Sequence, residues 1–180
     1  PSLTAKAEIP GMPGVRYVAG GDMTDFLKAA VEGLRREQAY LASQGPGASL
    51  PPVDFLAISG GGDKGAFTAG LLNGWTATGT RPEFKLVTGI STGALIAPFA
   101  FLGPGYDATL KEVYTTISPK GVIEPRNFLS GVFGDAMADN APLRKLTRKS
   151  VNEEFLKLVA AEYAKGRFLL VATADMDARR

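Results

Sequence analysis

Two spacings of hydrophobic residues alternate along the chain and predict its secondary structure. Apolar side chains first recur at helical spacing, which predicts a helix over Asp25–Ala42, capped by Thr24 and followed by Gly45. Short unbroken apolar runs come later, and such runs are typical of buried strands when turn residues bound them. The predicted strands are Phe55–Ser59, Phe84–Thr88 and Arg167–Ala174.

Helical spacing returns between and after these strands. The predicted helices are Ala66–Thr76, Thr92–Leu102, Thr109–Thr116, Leu143–Lys149 and Glu153–Ala164. Asn152 is the predicted cap of the last helix, and Gly166 follows its end. Strands that alternate with helices indicate a mainly parallel sheet covered on both faces, which is an α/β fold of the three-layer α/β/α sandwich type. Because three strands are few for such a sheet, we expect the domain to be incomplete in these 180 residues.

Composition divides the chain near residue 50. Residues 1–21 are rich in proline and glycine, as in an extended arm, and Gly45–Pro52 has the composition of a linker. We therefore predict an N-terminal arm and helix over residues 1–50, followed by the N-terminal portion of an α/β domain over residues 51–180. The arm is compatible with an envelope protein and equally with a cytoplasmic one, so the compartment stays unassigned.

The absence of cysteine and histidine narrows the possible chemistry. The sequence contains neither, so disulfides, metal sites built on these side chains and a Ser-His-Asp triad cannot form from this chain alone. We therefore expect no metal and no cofactor. The net charge is only +2, and we interpret the basic cluster at Arg144, Lys145, Arg148 and Lys149 as a solvated helix face rather than a nucleic-acid surface.

A glycine-rich loop, Gly60-Gly61-Gly62-Asp63-Lys64-Gly65, separates the first predicted strand from the next helix. Successive glycines allow a tight turn and leave the backbone N–H groups uncovered by side chains. Such groups beside a helix N-terminus bind negative charge, either a phosphate or the oxyanion of an acyl-transfer intermediate. The loop by itself leaves both ligands possible.

A nucleotide site is the less favoured interpretation of this loop. Gly60, Gly62 and Gly65 fit the dinucleotide fingerprint G-x-G-x-x-G, which also requires an acidic residue at the end of the next strand. That strand ends Val87-Thr88-Gly89, without a carboxylate. A Walker loop is excluded because Ala66 follows Gly65 where lysine is required. Dinucleotide binding and a purely structural turn stay as minor alternatives.

The second motif, Gly89-Ile90-Ser91-Thr92-Gly93, lies between a predicted strand and a predicted helix. This is the context of a nucleophile elbow, in which the serine projects from a sharp turn at the edge of the sheet. A chance match to the short pattern G-x-S-x-G is the alternative. Both motifs follow parallel strands, and the carboxyl ends of such strands form the ligand edge of an α/β sheet. The pair therefore predicts a serine nucleophile with N–H donors for an oxyanion beside it.

Together these residues resemble the patatin-like phospholipase family. The resemblance rests on Ser59–Ala66 and on Gly89–Gly93, and it extends over Asp54–Arg180, with Pro142–Leu146 also similar. It implies an α/β/α sandwich that hydrolyses acyl esters of lipids with a Ser–Asp dyad and without histidine. The implied partners are an acyl lipid or ester substrate and a transient contact with a membrane surface, with no nucleic acid.

The resemblance also implies roles for individual residues. Ser91 is the implied nucleophile, and the implied oxyanion hole is formed by Gly60, Gly61, Gly62 and Gly65, with Lys64 fixing the loop. Gly89, Thr92 and Gly93 form the elbow, and the amide of Thr92 is a further possible donor by analogy with hydrolase elbows.

The general base is the point at which the sequence departs from the family pattern. The family's aspartate lies in a D-G-G or D-G-A motif, and no Asp-Gly pair follows Ser91. The aspartates that do follow lack that context: Asp107, Asp135, Asp139, Asp175 and Asp177. We expect the base on a segment outside this chain, or on a companion C-terminal polypeptide. The alternative function is an inactive lipid- or anion-binding module.

Overall fold

The computed structural model describes residues 9–18, 20–116, 124–125, 138–139 and 148–174. The elements in chain order are α1 (Thr24–Ser43), β1 (Phe55–Ile58), α2 (Gly65–Ala77), β2 (Leu86–Ile90), α3 (Thr92–Leu102), α4 (Asp107–Thr116), β3 (Glu124–Pro125), β4 (Ala138–Asp139), α5 (Glu153–Ala164) and β5 (Phe168–Ala172). Short 3₁₀ turns at Gly62–Lys64 and Pro104–Tyr106 precede α2 and α4.

Strands β1, β2 and β5 form a parallel sheet with β2 in the centre. In its register Ile58 lies beside Gly89, and Gly89 lies beside Val171. The carboxyl ends of all three strands therefore meet at one edge of the sheet. Strands β3 and β4 form a separate antiparallel pair. The predicted α/β fold with a mainly parallel sheet is confirmed.

The hydrophobic core lies between one face of this sheet and α3. Val87 at the centre of β2 is fully buried, and so are Ile96 and Ala97 on α3. Helices α2, α4 and α5 contribute further buried side chains: Leu72, Leu110 and Phe155. Because neighbours surround α3, its sequence is apolar on nearly every side, as expected for a buried helix.

Helix α1 packs near the start of β5 and against the end of α5. The ring of Phe168 lies against the Cα atom of Gly33, where a Cβ atom would overlap the ring. Gly166, at φ +92°, brings the turn before β5 against the Gly33 carbonyl. Arg36 Nε donates a hydrogen bond of 3.0 Å to the Tyr163 carbonyl. These contacts attach α1 to the domain at the start of β5, while Phe55 on β1 stays 67% exposed.

Two buried arginines hold the carboxyl end of α3. Arg167 donates to the carbonyl of Phe101 through Nη2 at 2.7 Å, and Arg81 donates to the carbonyl of Ala100 through Nη2 at 3.2 Å. Each arginine is neutralised by a carboxylate, Glu162 at 2.8 Å for Arg167 and Asp107 at 2.8 Å for Arg81. These bonds satisfy carbonyls that a helix end leaves free, and they place positive charge at the negative end of the helix dipole.

Two opposing effects act on the pKa of Glu162, the acidic partner of Arg167. Burial alone would raise the pKa of Glu162, but hydrogen bonds from Lys165 and Arg167 outweigh burial and lower it. Glu162 therefore stays ionised at neutral pH. Its pairing with Arg167 contributes stability above the ordinary glutamate pKa, and this contribution is lost as the pH falls through the lowered value.

Most predicted elements agree with the structure, and the differences lie at their ends. Helices α3 and α5 have the predicted bounds, and the Asn152 side chain caps α5 by accepting from the Phe155 amide at 3.0 Å. The prediction that Thr24 caps α1 was wrong, because Thr24 lies inside the helix and Asp22 accepts its amide proton.

The predicted ends of the strands also need correction. β2 begins at Leu86 instead of Phe84, because Phe84 is buried against the Trp75 ring before the pairing with β1 starts. β5 begins after Arg167, because this side chain is used to bind α3. Most of the predicted helix Leu143–Lys149 lies outside the described residues, although residues 148–150 are helical. No helix in the described ranges is long and apolar enough to cross a membrane.

We predict that Arg167→Ala lowers the free energy of unfolding by about 3–5 kcal/mol, because it leaves Glu162 and two carbonyls without their buried partner. Arg35→Ala is the matched control, since its ion pair with Glu32 is exposed, and its effect should stay below about 0.5 kcal/mol. Urea denaturation of both variants measures the difference. Equal losses would contradict the anchoring role of Arg167.

Candidate active site

Ser91 occupies a strained backbone conformation at the junction of β2 and α3. Its φ is 55° and its ψ is −123°, and no other non-glycine residue in the described part of the chain has a positive φ. Such a conformation costs about 1–3 kcal/mol and persists only where the surroundings enforce it. Strain of this kind at a strand-to-helix turn is the signature of a nucleophile elbow.

In the same conformation, the Ser91 hydroxyl is not used to cap the helix. Ser91 is the N-cap residue of α3, and its carbonyl accepts the first bond of the helix from the Ala94 amide at 2.9 Å. A serine at this position normally caps the helix with its hydroxyl, but here the side chain makes no capping bond. Ser91 is exposed at the edge of the sheet. The hydroxyl therefore projects outward above the positive end of α3.

Close backbone packing enforces the elbow and requires glycine on both sides of Ser91. A Cβ atom at Gly89 would overlap the carbonyl of Gly93. A Cβ atom at Gly93 would overlap the carbonyl of Ile58 and lie 2.8 Å from that of Ser59. The first turn of α3 thus packs directly on the backbone end of β1.

The glycine loop after β1 lies beside the serine. A Cβ atom at Gly60 would be 2.9 Å from Ser91 Cβ and 3.6 Å from Ser91 Oγ, so the loop backbone passes next to the hydroxyl. Gly61 and Gly62 have φ values of +154° and +58°, which L-residues with side chains rarely adopt. Glycine is therefore needed here both for space and for conformation.

The geometry of this loop favours the binding of an anion. The amide of Lys64 donates to the carbonyl of Gly61 at 3.1 Å and closes the turn that leads into α2. Among the described turns and loops, no backbone carbonyl accepts a hydrogen bond from the N–H group of Gly61 or Gly62. Free N–H groups at a helix N-terminus attract negative charge. The Lys64 side chain is exposed at the same turn.

A comparison with protein families matches residues 56–178 to the family described as patatin-like phospholipase. This chain belongs to the patatin-like phospholipase family. A search of curated proteins and a search of solved structures each returned no match. The patatin-like family is one of lipid acyl hydrolases, which act on lipid esters. The matched range includes both glycine motifs and excludes α1.

The aspartates that follow Ser91 lie away from it or outside the described residues. Asp107 lies at the start of α4, bound to Arg81, at the opposite end of α3 from Ser91. An 11-residue helix is about 16 Å long, so Asp107 is out of reach of the serine. Asp139 belongs to β4, and the other candidates, Asp135, Asp175 and Asp177, lie outside the described residues.

Within the described ranges, the Ser91 hydroxyl makes no hydrogen bond with another residue. The backbone of the glycine loop lies beside this hydroxyl at Gly60. The described residues also contain no group of histidine, cysteine, aspartate or glutamate side chains that would hold a metal ion. The described site is thus an exposed serine beside a glycine-rich loop.

One contact at the site has no signal in the sequence. Tyr114 on α4 places its hydroxyl 2.9 Å from Thr92 Oγ1, directly after the serine. The two residues are 22 positions apart and belong to different helices. A tyrosine within an amphipathic helix is usually a core residue, so sequence analysis gave no reason to select it.

We predict that Gly93→Ala lowers the free energy of unfolding by about 3 kcal/mol, since the added methyl group meets rigid carbonyls of β1. Gly70→Ala is the control within α2, where a Cβ atom meets nothing within 4 Å. It should gain up to about 1 kcal/mol through helix propensity. Chemical denaturation of both variants measures the contrast, and a tolerated Gly93→Ala would refute the packing described for the elbow.

Proposed function

We propose that this protein is a serine acyl hydrolase that cleaves ester bonds of acyl lipids, with Ser91 as the nucleophile of a Ser–Asp dyad. The main support is the conformation of Ser91, which combines a strained backbone with an exposed hydroxyl that caps no helix. Membership of a lipid acyl hydrolase family supports the substrate class. The position of Gly60 against Ser91 supports an oxyanion hole within reach of the nucleophile.

In the proposed acylation, Ser91 Oγ attacks the ester carbonyl carbon while the base removes its proton. The carbonyl π electrons move to oxygen, and the N–H groups of Gly61 and Gly62 stabilise the oxyanion, together with the amide of Thr92. Lys64 fixes the loop. The intermediate then expels the alcohol, which takes the proton from the protonated base, and the acyl group stays on Ser91.

In the proposed deacylation, water attacks the acyl group on Ser91. The base removes a proton from this water, the same oxyanion hole stabilises the second tetrahedral intermediate, and Ser91 leaves with the returned proton. A carboxylate is able to serve as base in both steps, so the mechanism needs no histidine. Typical oxyanion donors are worth about 3–4 kcal/mol each in the transition state.

We further propose that the base is an aspartate outside these 180 residues, on a following segment or on a companion polypeptide. The support is that no Asp-Gly pair follows Ser91 in the sequence. In addition, Asp107 is engaged by Arg81 at the far end of α3. Protein expressed from the complete reading frame should therefore be far more active than the 180-residue chain alone, and equal activities would contradict this part of the proposal.

We predict that Ser91→Ala lowers kcat for a p-nitrophenyl ester at least about 1,000-fold in protein expressed from the complete reading frame. Ser43→Ala is the matched control, because this hydroxyl bonds the Tyr40 carbonyl at the end of α1. Steady-state kinetics on all three proteins measures the effect. Wild-type protein without esterase activity, or Ser91→Ala with full activity, would favour a lipid- or anion-binding module instead.

The proposal includes a transient contact with a lipid surface, and the rim of the site offers apolar side chains for it. Phe67 and Leu71 lie one turn apart on α2, and their exposures are 75% and 54%. Helix α2 begins at Gly65, at the end of the glycine loop. Side chains here would enter a lipid surface on the same side as the oxyanion loop.

We predict that the double variant Phe67→Ser, Leu71→Ser loses about tenfold in kcat/KM on phospholipid vesicles, because it removes about 2 kcal/mol or more of apolar burial. Its activity on a soluble short-chain ester should change little. Leu156→Ser on α5 is the control, with the same exposure of 54% as Leu71. Parallel losses on vesicles and on the soluble ester would contradict a surface-docking role.

A further inference from the structure

Tyr114 lies where the two halves of the site meet. Its hydroxyl is 2.9 Å from Thr92 Oγ1, and Thr92 is the residue that directly follows Ser91. A Cβ atom at Gly65 would be 2.5 Å from Thr92 Oγ1 and 2.9 Å from the Tyr114 hydroxyl. The last glycine of the loop, the elbow and α4 are therefore in contact at one point.

The contact is partly shielded from water. Thr92 is buried and Tyr114 is half-buried. Burial raises the pKa of Tyr114 above its ordinary value, although its hydrogen bond with Thr92 acts in the opposite direction. The hydroxyl therefore remains protonated at neutral pH and keeps its hydrogen bond with Thr92.

We propose that Tyr114 is a positioning residue that sets the distance between the glycine loop and the Ser91 elbow through its hydrogen bond to Thr92. The inference rests on the proposed function, because it concerns the spacing between nucleophile and oxyanion donors. Tyr114 does not touch the reacting atoms. It acts through Thr92, whose amide is a candidate donor, and through Gly65, which ends the loop.

The glycine loop, the Ser91 turn and α4 lie in separate segments of the chain, so only non-covalent contacts fix the distances between them. The loop belongs to the connection between β1 and α2, whereas Ser91 belongs to the connection between β2 and α3. Displacement of catalytic groups by about 1 Å can reduce the rate by two orders of magnitude. A hydrogen bond at the contact point restricts such displacement, and the lack of a side chain at Gly65 permits the close approach.

Removal of single hydroxyl groups from this contact, in protein expressed from the complete reading frame, tests the proposal. Tyr114→Phe keeps the ring, and Thr92→Val keeps the shape of the partner. Each is expected to lower kcat on a soluble ester about three- to tenfold with KM nearly unchanged. The double variant should lose no more than the larger single loss, because both changes break the same bond. Thr92→Ser, which retains a hydroxyl, should lose less than Thr92→Val.

Tyr106→Phe is the matched control. This tyrosine packs its ring against Phe99 and Phe155, near the opposite end of α3 from Ser91. Its kcat should equal that of the wild type. Thermal melts of every variant separate a general loss of stability from the local effect, since a structural role alone would change the melting temperature without changing kcat in the folded protein.

Amide hydrogen exchange supplies a readout that does not need activity. In Tyr114→Phe, peptides that cover residues 60–65 and 91–94 should exchange faster than in the wild type, while those from α5 should not change. Unchanged exchange overturns the inference, and so does unchanged kcat in an active protein. If the wild type expressed from the complete reading frame proves inactive, the proposed function fails, and the exchange measurement still decides whether Tyr114 restrains the loop and the elbow.

Discussion

The backbone of Gly93 packs directly on the carbonyls of Ile58 and Ser59, and the rest of the site depends on this contact. With no side chain between them, the first turn of α3 lies on the end of β1. The chain must then turn sharply between β2 and α3, and Ser91 absorbs the turn by adopting a φ of 55°. The same contact places Ser91 beside Gly60 and therefore beside the loop that follows β1. The strain at Ser91 and its position beside the glycine loop thus have the same cause.

Helix α3 connects the hydrophobic core to the edge of the sheet at which Ser91 lies. Its central side chains are buried against β2, and its carboxyl end is held by Arg81 and Arg167. Since both ends of the helix have fixed partners, its dipole is directed along a stable axis towards Ser91. The arginines also tie α3 to α4 and α5 through Asp107 and Glu162. The two arginines at the carboxyl end of α3 therefore help to fix the position of its amino end, where Ser91 lies.

Much of the fold was predictable because it follows from local spacing. The bounds of α3 and α5, the parallel order of the sheet and the Asn152 cap depend on periodicity and on local capping chemistry. The two glycine motifs were also visible in the sequence, because each is short and lies at a strand-to-helix junction. Contacts between distant segments gave no such signal. The Tyr114 bond to Thr92, the arginine anchors of α3 and the packing of Gly33 on Phe168 arise only when separate elements meet.

Covalent labelling distinguishes an activated nucleophile at Ser91 from an ordinary surface serine. Protein expressed from the complete reading frame would be treated with a fluorophosphonate and analysed by intact-mass and peptide mass spectrometry. The assignment of Ser91 as nucleophile requires one adduct per chain, located on Ser91, and no adduct on protein that has first been denatured. The absence of an adduct on the folded protein, or an adduct on a different residue, would contradict it.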